Sequence, residues 1–357
     1  MKLRVRTAGA VAVLSVLGGL LAAPAAAAAP APPTAPTART GPGGTGYQFA
    51  VFGDFPYTPA QITALPAVVD QFNADRGLRF VAHLGDIKSG STQCTDEYFA
   101  RIRAQFDRFK APLVYAVGDN EWTDCHRPNN GGYDPLERLE QVREVFFPRP
   151  GLTLGRRPMP VRSQSALGLP EDVSFERAGV AFAALHVVGS NNGLAPWTDP
   201  VTGKPAAAPN PRQTVEVLTR TSGVLQEIRD TFARARHHRA RAVVLMLQAD
   251  MFDPTVAAPS FADYYGFQPI VAAIARESAR FRGPVYLFDG DSHVYRADEP
   301  LAAGSPWTGF YSVPAVGNLT RVTVDGSTSG TNYLRVTVHP RGKDVLTWTQ
   351  VPFTALK

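Results

Sequence analysis

From Tyr47 onward, short apolar runs alternate with longer stretches whose apolar residues recur every three or four positions. The runs at 47–52, 78–84 and 112–117 read as strands, and so do those at 180–188, 242–247 and 285–288. Helical periodicity fills the intervals at about 59–74, 96–109, 213–237 and 269–280. Strands spaced by helices predict βαβ units and an α/β fold. Between His126 and about Pro170 the chain is rich in Pro and Arg, with one helical stretch at 136–146. The segment 126–176 therefore reads as an insertion over one face.

The strand ends share a feature. Gly53-Asp54, Gly85-Asp86 and Gly118-Asp119 each close a predicted strand, and a later strand runs into Asp289-Gly290-Asp291-Ser292-His293. In a βαβ sheet the carboxyl ends of the strands gather on one edge, where ligands bind. Glycine there permits a sharp turn and a close backbone approach. One Gly-Asp is also an ordinary turn, and its acid can serve as a turn or helix-capping carboxylate. Four at matching positions aim several carboxylates at one edge, where they repel one another unless a cation intervenes. Carboxylates are hard oxygen ligands. Asp289 precedes its turn and reads as structural.

Composition narrows the classes. Of 357 residues, 44% are hydrophobic and 19% charged, which excludes wholesale disorder. Two cysteines exclude a disulfide-dense miniprotein and a zinc-finger array. Lys2, Arg4 and Arg6 precede an apolar stretch at 8–22 and small residues at 25–29, the pattern of a secretory signal over 1–29. A retained anchor is the alternative, for which the stretch is short. Those three cations belong to the formal +5, so removing them leaves +2. A nearly neutral chain gives no electrostatic reason to expect nucleic acid or stable membrane association. Residues 30–45 are rich in Pro and Ala and read as a disordered linker. One domain then spans 46–357. Cys94 and Cys125, an even count in a chain read as secreted, are expected to form a disulfide.

The ordered set GDF (53–55), GDI (85–87), GDNE (118–121), LMLQ (245–248) and GDSH (290–293) resembles the calcineurin-like metallophosphoesterases. The segments RVTV (321–324) and YLRVTVHP (333–340) resemble the closing strands of its purple acid phosphatase branch. The resemblance implies a four-layer α/β/β/α sandwich with two mixed sheets. It also implies two divalent cations at the strand ends, from among Mn, Mg, Ca, Fe and Zn, and a small phosphorylated substrate. By that resemblance Asp54 holds the first metal, Asp86 bridges both and His293 matches a His ligand. Asp119 takes the second-metal position and Asn120 that of the catalytic His. A one-residue shift makes Asn120 the ligand instead. Gln248 and Asp291 stand where the family has His ligands. Pro56 replaces another His, and Tyr57 beside it is a conceivable phenolate ligand. The second site is thus built from oxygen donors, which suit a harder cation than zinc.

With His absent at position 120, His126 and His186 are the candidate proton donors, against the readings of a surface-loop His and a buried structural His. Lys88 and Arg296 follow site motifs and are candidates to hold substrate phosphate, or else are solvated charges. The disulfide would tie the loop after Asp86 to the loop after Asp119. Two other classes remain in view. One is a scaffold of this fold that binds metal or a phosphorylated ligand without turnover. The other is a Gly-Asp-Ser esterase, which the late position of Ser292 disfavours.

Overall fold

The computed structural model describes residues 46–199 and 202–357. The expected signal and linker, 1–29 and 30–45, lie outside the described residues. Strands β1 (Tyr47–Phe52), β2 (Leu78–His83) and β3 (Leu113–Tyr115) pair in parallel. Antiparallel β11 (Asn332–Val338) and β12 (Leu346–Pro352) extend them into a five-stranded sheet of order β12-β11-β1-β2-β3. The second sheet has seven strands. Its parallel centre is β6 (Val180–Ala184), β7 (Ala242–Met246), β8 (Val285–Asp289) and β10 (Leu319–Thr323). Antiparallel β4 (Arg162–Gln164) and β5 (Leu169–Arg177) flank β6, and β9 (Arg296–Asp298) flanks β10.

Strand alternation sorts the core into layers. Phe49 and Val51 of β1 point into an interior shared with Phe182, Val244 and Phe288 of the other sheet. The Phe49 ring meets those of Phe182 at 5.6 Å and Phe288 at 6.2 Å, both edge to face. Burying one such side chain contributes roughly 1.5–3 kcal/mol, so this interior fixes how the two sheets face each other. Ala50 and Phe52 point outward, against α1 (Pro59–Ala74), α2 (Asp96–Phe106) and α3 (Pro135–Phe146). On the far side, Val243 and Leu245 pack against α5 (Pro211–His237) and α6 (Gln268–Ala279). The layers are therefore helix, sheet, sheet, helix, with both sheets mixed, as expected. Two short elements complete the set, α4 (Gly189–Asn192) and α7 (Pro306–Phe310).

Local chemistry sets the helix starts. Thr58 and Gln61 form a reciprocal capping box at α1, and Asn210 and Gln213 do so at α5. Thr95 caps α2 and Asp134 caps α3.

The stretch 126–176 begins as loop and helix over one face, but its last third supplies β4 and β5 to the larger sheet. The alternation of β5 is obscured by two buried acids. Glu171 is paired with Arg143 at 2.7 Å and His186 at 2.9 Å, and Asp172 accepts the His186 backbone N–H at 2.7 Å. The run at 180–188 leaves the sheet at Ala184, although Leu185, Val187 and Val188 stay buried.

Candidate metal centre

Asp54, Asp86 and Asp119 follow the carboxyl ends of β1, β2 and β3, and Gln248 and Asp291 follow those of β7 and β8. Both parallel centres therefore deliver acids to a common edge. Asp54, Asp86 and His293 present ligand atoms within 4.8 Å of one another. Asp86, Asp119 and Asp291 form a second group by the same measure, so Asp86 belongs to both. His293 Nε2 lies 3.2 Å from Asp54 Oδ1. The Tyr57 hydroxyl donates to Asp86 Oδ2 at 2.7 Å and lies 3.4 Å from both Asp54 Oδ1 and His293 Nε2.

The two amides act as donors here. Asn120 Nδ2 reaches Asp86 Oδ2 at 2.6 Å and Tyr57 Oη at 2.9 Å. Gln248 Nε2 reaches Asp86 at 3.3 Å and Asp119 at 3.4 Å, while its Oε1 accepts the Gly189 N–H at 2.6 Å. Glu121 anchors the same loops by accepting the N–H groups of Asp86 at 2.8 Å and Gly118 at 3.0 Å.

Backbone strain concentrates at this edge. Asp54, Asp86, Asp291 and His293 all have positive φ, as do Ser190, Asn191 and Asn192 of the α4 turn. Such conformations are unfavourable for residues with a Cβ and gather at functional sites. Close approach is equally specific. A Cβ on Gly118 would fall 2.1 Å from Asp86 Oδ1, and one on Gly189 would fall 2.7 Å from both Asp119 Oδ2 and Asp291 Oδ2. Gly189 thus keeps open the space between two carboxylates.

Electrostatics fits that geometry to a cation. Burial, then the charges of Asp119, Glu121, Asp54 and Asp291, pushes the Asp86 carboxyl well above its ordinary value. Asp291 rises for the same reasons, burial first and then Asp119, Asp54 and Asp250. Burial and the neighbouring acids also hold Tyr57 as a neutral phenol. Burial pulls the His293 imidazole down, but its hydrogen bond to Asp54 and the surrounding acids outweigh this and leave it raised. Carboxylates that must otherwise take up protons to share a buried space are matched by divalent cations, and the donor set suits them. The residues present fit a metal centre, with Asp54, Asp86 and His293 on one side and Asp86, Asp119 and Asp291 on the other.

Other residues singled out in the sequence lie differently. Lys88 is buried, its Nζ donating to the Ser89 carbonyl at 2.9 Å, and burial pulls it down to about 8 against the nearby acids. Arg296 sits on β9 paired with Asp298 at 2.6 Å. His126 Nδ1 accepts the Thr198 N–H at 2.8 Å, and burial and then Arg127 lower it to about 4. His186 is buried against Glu171, and burial lowers it too. Among the described residues neither imidazole hydrogen-bonds to the acid cluster. Ser292 Oγ donates to Asp250 at 2.7 Å, not to a histidine. Cys94 and Cys125 are disulfide-bonded, and both sulfurs lie 3.6 Å from the Asn120 carbonyl oxygen.

Sequence reasoning passed over the turn at 189–193, Gly-Ser-Asn-Asn-Gly. Ser190 Oγ lies 2.9 Å from Asp119 Oδ2 and 3.0 Å from Asp124 Oδ1. Asn191 Oδ1 accepts the Gly266 N–H at 2.8 Å and so binds the turn to the loop before α6. The signal was available, since a small polar run follows a predicted strand on the edge that carries the acids.

No protein-family model matches the chain, and no curated protein matches it. Among solved structures it is similar to GAP50, "the anchor in the inner membrane complex of Plasmodium", with 9% identity, 87% of this chain and 89% of that one covered, and a TM-score of 0.42. It is also similar to purple acid phosphatase PPD1 from yellow lupin (Lupinus luteus) seeds, at 11% identity, 86% of this chain covered and a TM-score of 0.42. A third is the 5'-nucleotidase precursor from Thermus thermophilus, at 9% identity, 85% of this chain covered and a TM-score of 0.39. The match spans 54% of the phosphatase and of the nucleotidase, about half their length. Fold and site together define an α/β/β/α sandwich with a carboxylate-rich candidate metal centre at its strand ends.

Proposed function

We propose that this chain is a secreted, metal-dependent phosphoesterase that uses two divalent cations to hydrolyse a small phosphate ester. The observation that carries the reading is Asp86, shared by two ligand groups whose atoms each lie within 4.8 Å of one another. Asp54 and His293 complete one position, with Tyr57 beside them, and Asp119 and Asp291 complete the other. Cations held there supply Lewis acidity, drawing charge from phosphoryl oxygens and making water a better nucleophile. The preponderance of oxygen donors favours Mn, Mg or Ca over zinc, most of all at the Asp119–Asp291 position.

The protein's own groups set the rest. Asn120 and Gln248 hold Asp86 and Asp119 in place through their Nδ2 and Nε2 donors. Tyr57 fixes the other face of Asp86 through its hydroxyl. An amide at position 120 has no proton to give a departing alkoxide, and His126 and His186 are engaged elsewhere. Substrates with acidic leaving groups should therefore react much faster than alkyl esters. Secretion is supported by the N-terminal pattern and by the disulfide, which suits an oxidising compartment. Among the described residues no helix is long and apolar enough to cross a membrane.

The test is hydrolysis of aryl phosphomonoesters and diesters by metal-free protein supplied in turn with Mn, Mg, Ca and Zn. Mn- or Mg-dependent turnover, steeply favouring acidic leaving groups and abolished by chelator, is the expected result. The missing imidazole at position 120 favours a second reading, a scaffold that binds metal or a phosphorylated ligand without turnover. Metal binding with no hydrolysis under any metal would select it.

A further inference from the structure

We infer that Arg127 is the residue that receives the phosphate group of the ligand at this centre, an inference that rests on the phosphoesterase reading. Its side chain is 40% exposed, whereas its partner Asp124 is 5% exposed, and the two meet through NH1 and Oδ2 at 2.7 Å. Its other guanidinium donors make no hydrogen bond among the described residues, which leaves the Nε and NH2 edge open. A planar fork with two free donors matches phosphate oxygens in a way that an ammonium does not.

The position is equally specific. A Cβ placed on Gly90 would lie 3.0 Å from Asn120 Oδ1 and 3.5 Å from Arg127 NH1, so both side chains close on one point above Gly90. Asn120 turns its other amide atom inward, onto Asp86. The guanidinium thus lies one side chain away from the residue shared by both ligand groups.

Arg127 is held in readiness. Its backbone N–H donates to the Asp124 carbonyl at 3.1 Å, and its carbonyl accepts from Asn130 at 2.9 Å and Gly132 at 3.1 Å. Ser190 Oγ lies within hydrogen-bond distance of both Asp124 and Asp119, so a continuous series joins Arg127 to a candidate ligand. Preorganisation of this kind lowers the cost of capturing a ligand. Two other cations are buried and engaged: Lys88 on the Ser89 carbonyl, and Arg321 against Asp250 and Asp298.

The test is calorimetric binding of inorganic phosphate to the Mn-loaded protein, with Mn affinity measured in parallel for Arg127→Gln and Arg127→Lys. Charge-assisted hydrogen bonds of this type predict about 10- to 100-fold weaker phosphate binding in Arg127→Gln. Mn affinity should stay within about threefold of the parent, and Arg127→Lys should recover only part of the loss because it lacks the fork. Unchanged phosphate affinity in Arg127→Gln would overturn the inference. So would an equal loss of Mn affinity, which would mark Arg127 as structural support for Asp124. Failure of the parent protein to bind phosphate would also overturn it. Phosphate binding without hydrolysis of any ester would count against turnover alone and leave Arg127 in place.

Discussion

Asp86→Asn is expected to lower metal-dependent hydrolysis by at least about 1,000-fold and to remove the rise in Tm that Mn gives the parent protein. The cations are asked to supply several kcal/mol of charge stabilisation, and a factor of ten corresponds to about 1.4 kcal/mol. Asp86 is shared by both ligand groups, so one substitution weakens both. An asparagine there also turns an NH2 toward groups that now donate to Asp86, namely Tyr57, Asn120 and Gln248. Asp291→Asn should behave differently. No side-chain donor among the described residues bonds to its carboxylate, so the substitution chiefly removes one of several crowded negative charges. The chelated Asp291→Asn protein should be more stable than the chelated parent, and the Mn-loaded variant less stable than the Mn-loaded parent. A variant that lost stability in both states would show that the carboxylates are structural.

The pH dependence has a definite sign. Asp86 and Asp291 are raised in the metal-free fold, so their contribution favours folding at low pH. That contribution is lost as pH climbs from the ordinary value of 3.8 through the raised ones. Cations reverse this by matching the charged form, and protons compete with them. The Mn-induced gain in Tm should therefore grow from about pH 5 to about pH 8.

Replacing Cys94 and Cys125 together by Ser should cost about 3–4 kcal/mol, from the loop of sequence separation 31 that the bridge closes in the unfolded chain. In a protein of this size that corresponds to a fall in Tm of roughly 5 °C. Mn affinity should fall as well, because both sulfurs pack against the carbonyl of Asn120, whose side chain supports Asp86. Thermal unfolding of the double variant with and without Mn measures both effects. A loss below about 1 kcal/mol would mean that packing around Trp122 and Phe99 already fixes these loops.

What the sequence disclosed and what it hid follow from locality. The Gly-Asp endings were legible because the need for a turn and the need for an acid fall on adjacent residues. The central strands were legible because each is a short apolar run. The strand β5 was not, because Glu171 and Asp172 sit buried inside it and are satisfied by Arg143 and His186 from other elements. Edge strand β12 was passed over, although Leu346 and Trp348 alternate with Thr347 and Thr349 as a half-buried strand does; its run is short and most of its residues are exposed or half-buried. Lys88 follows a site motif, yet its side chain points inward, a direction that spacing alone does not give. Arg127 carries no motif. Its importance comes from where Gly90 and Asn120 lie in space.

The most direct measurement is calorimetric titration of the chelated protein with Mn. Two saturable sites per chain are predicted, with one severely weakened in Asp291→Asn and both weakened in Asp86→Asn. An absence of saturable binding, or binding untouched by either substitution, would contradict the assignment of this edge as a metal centre.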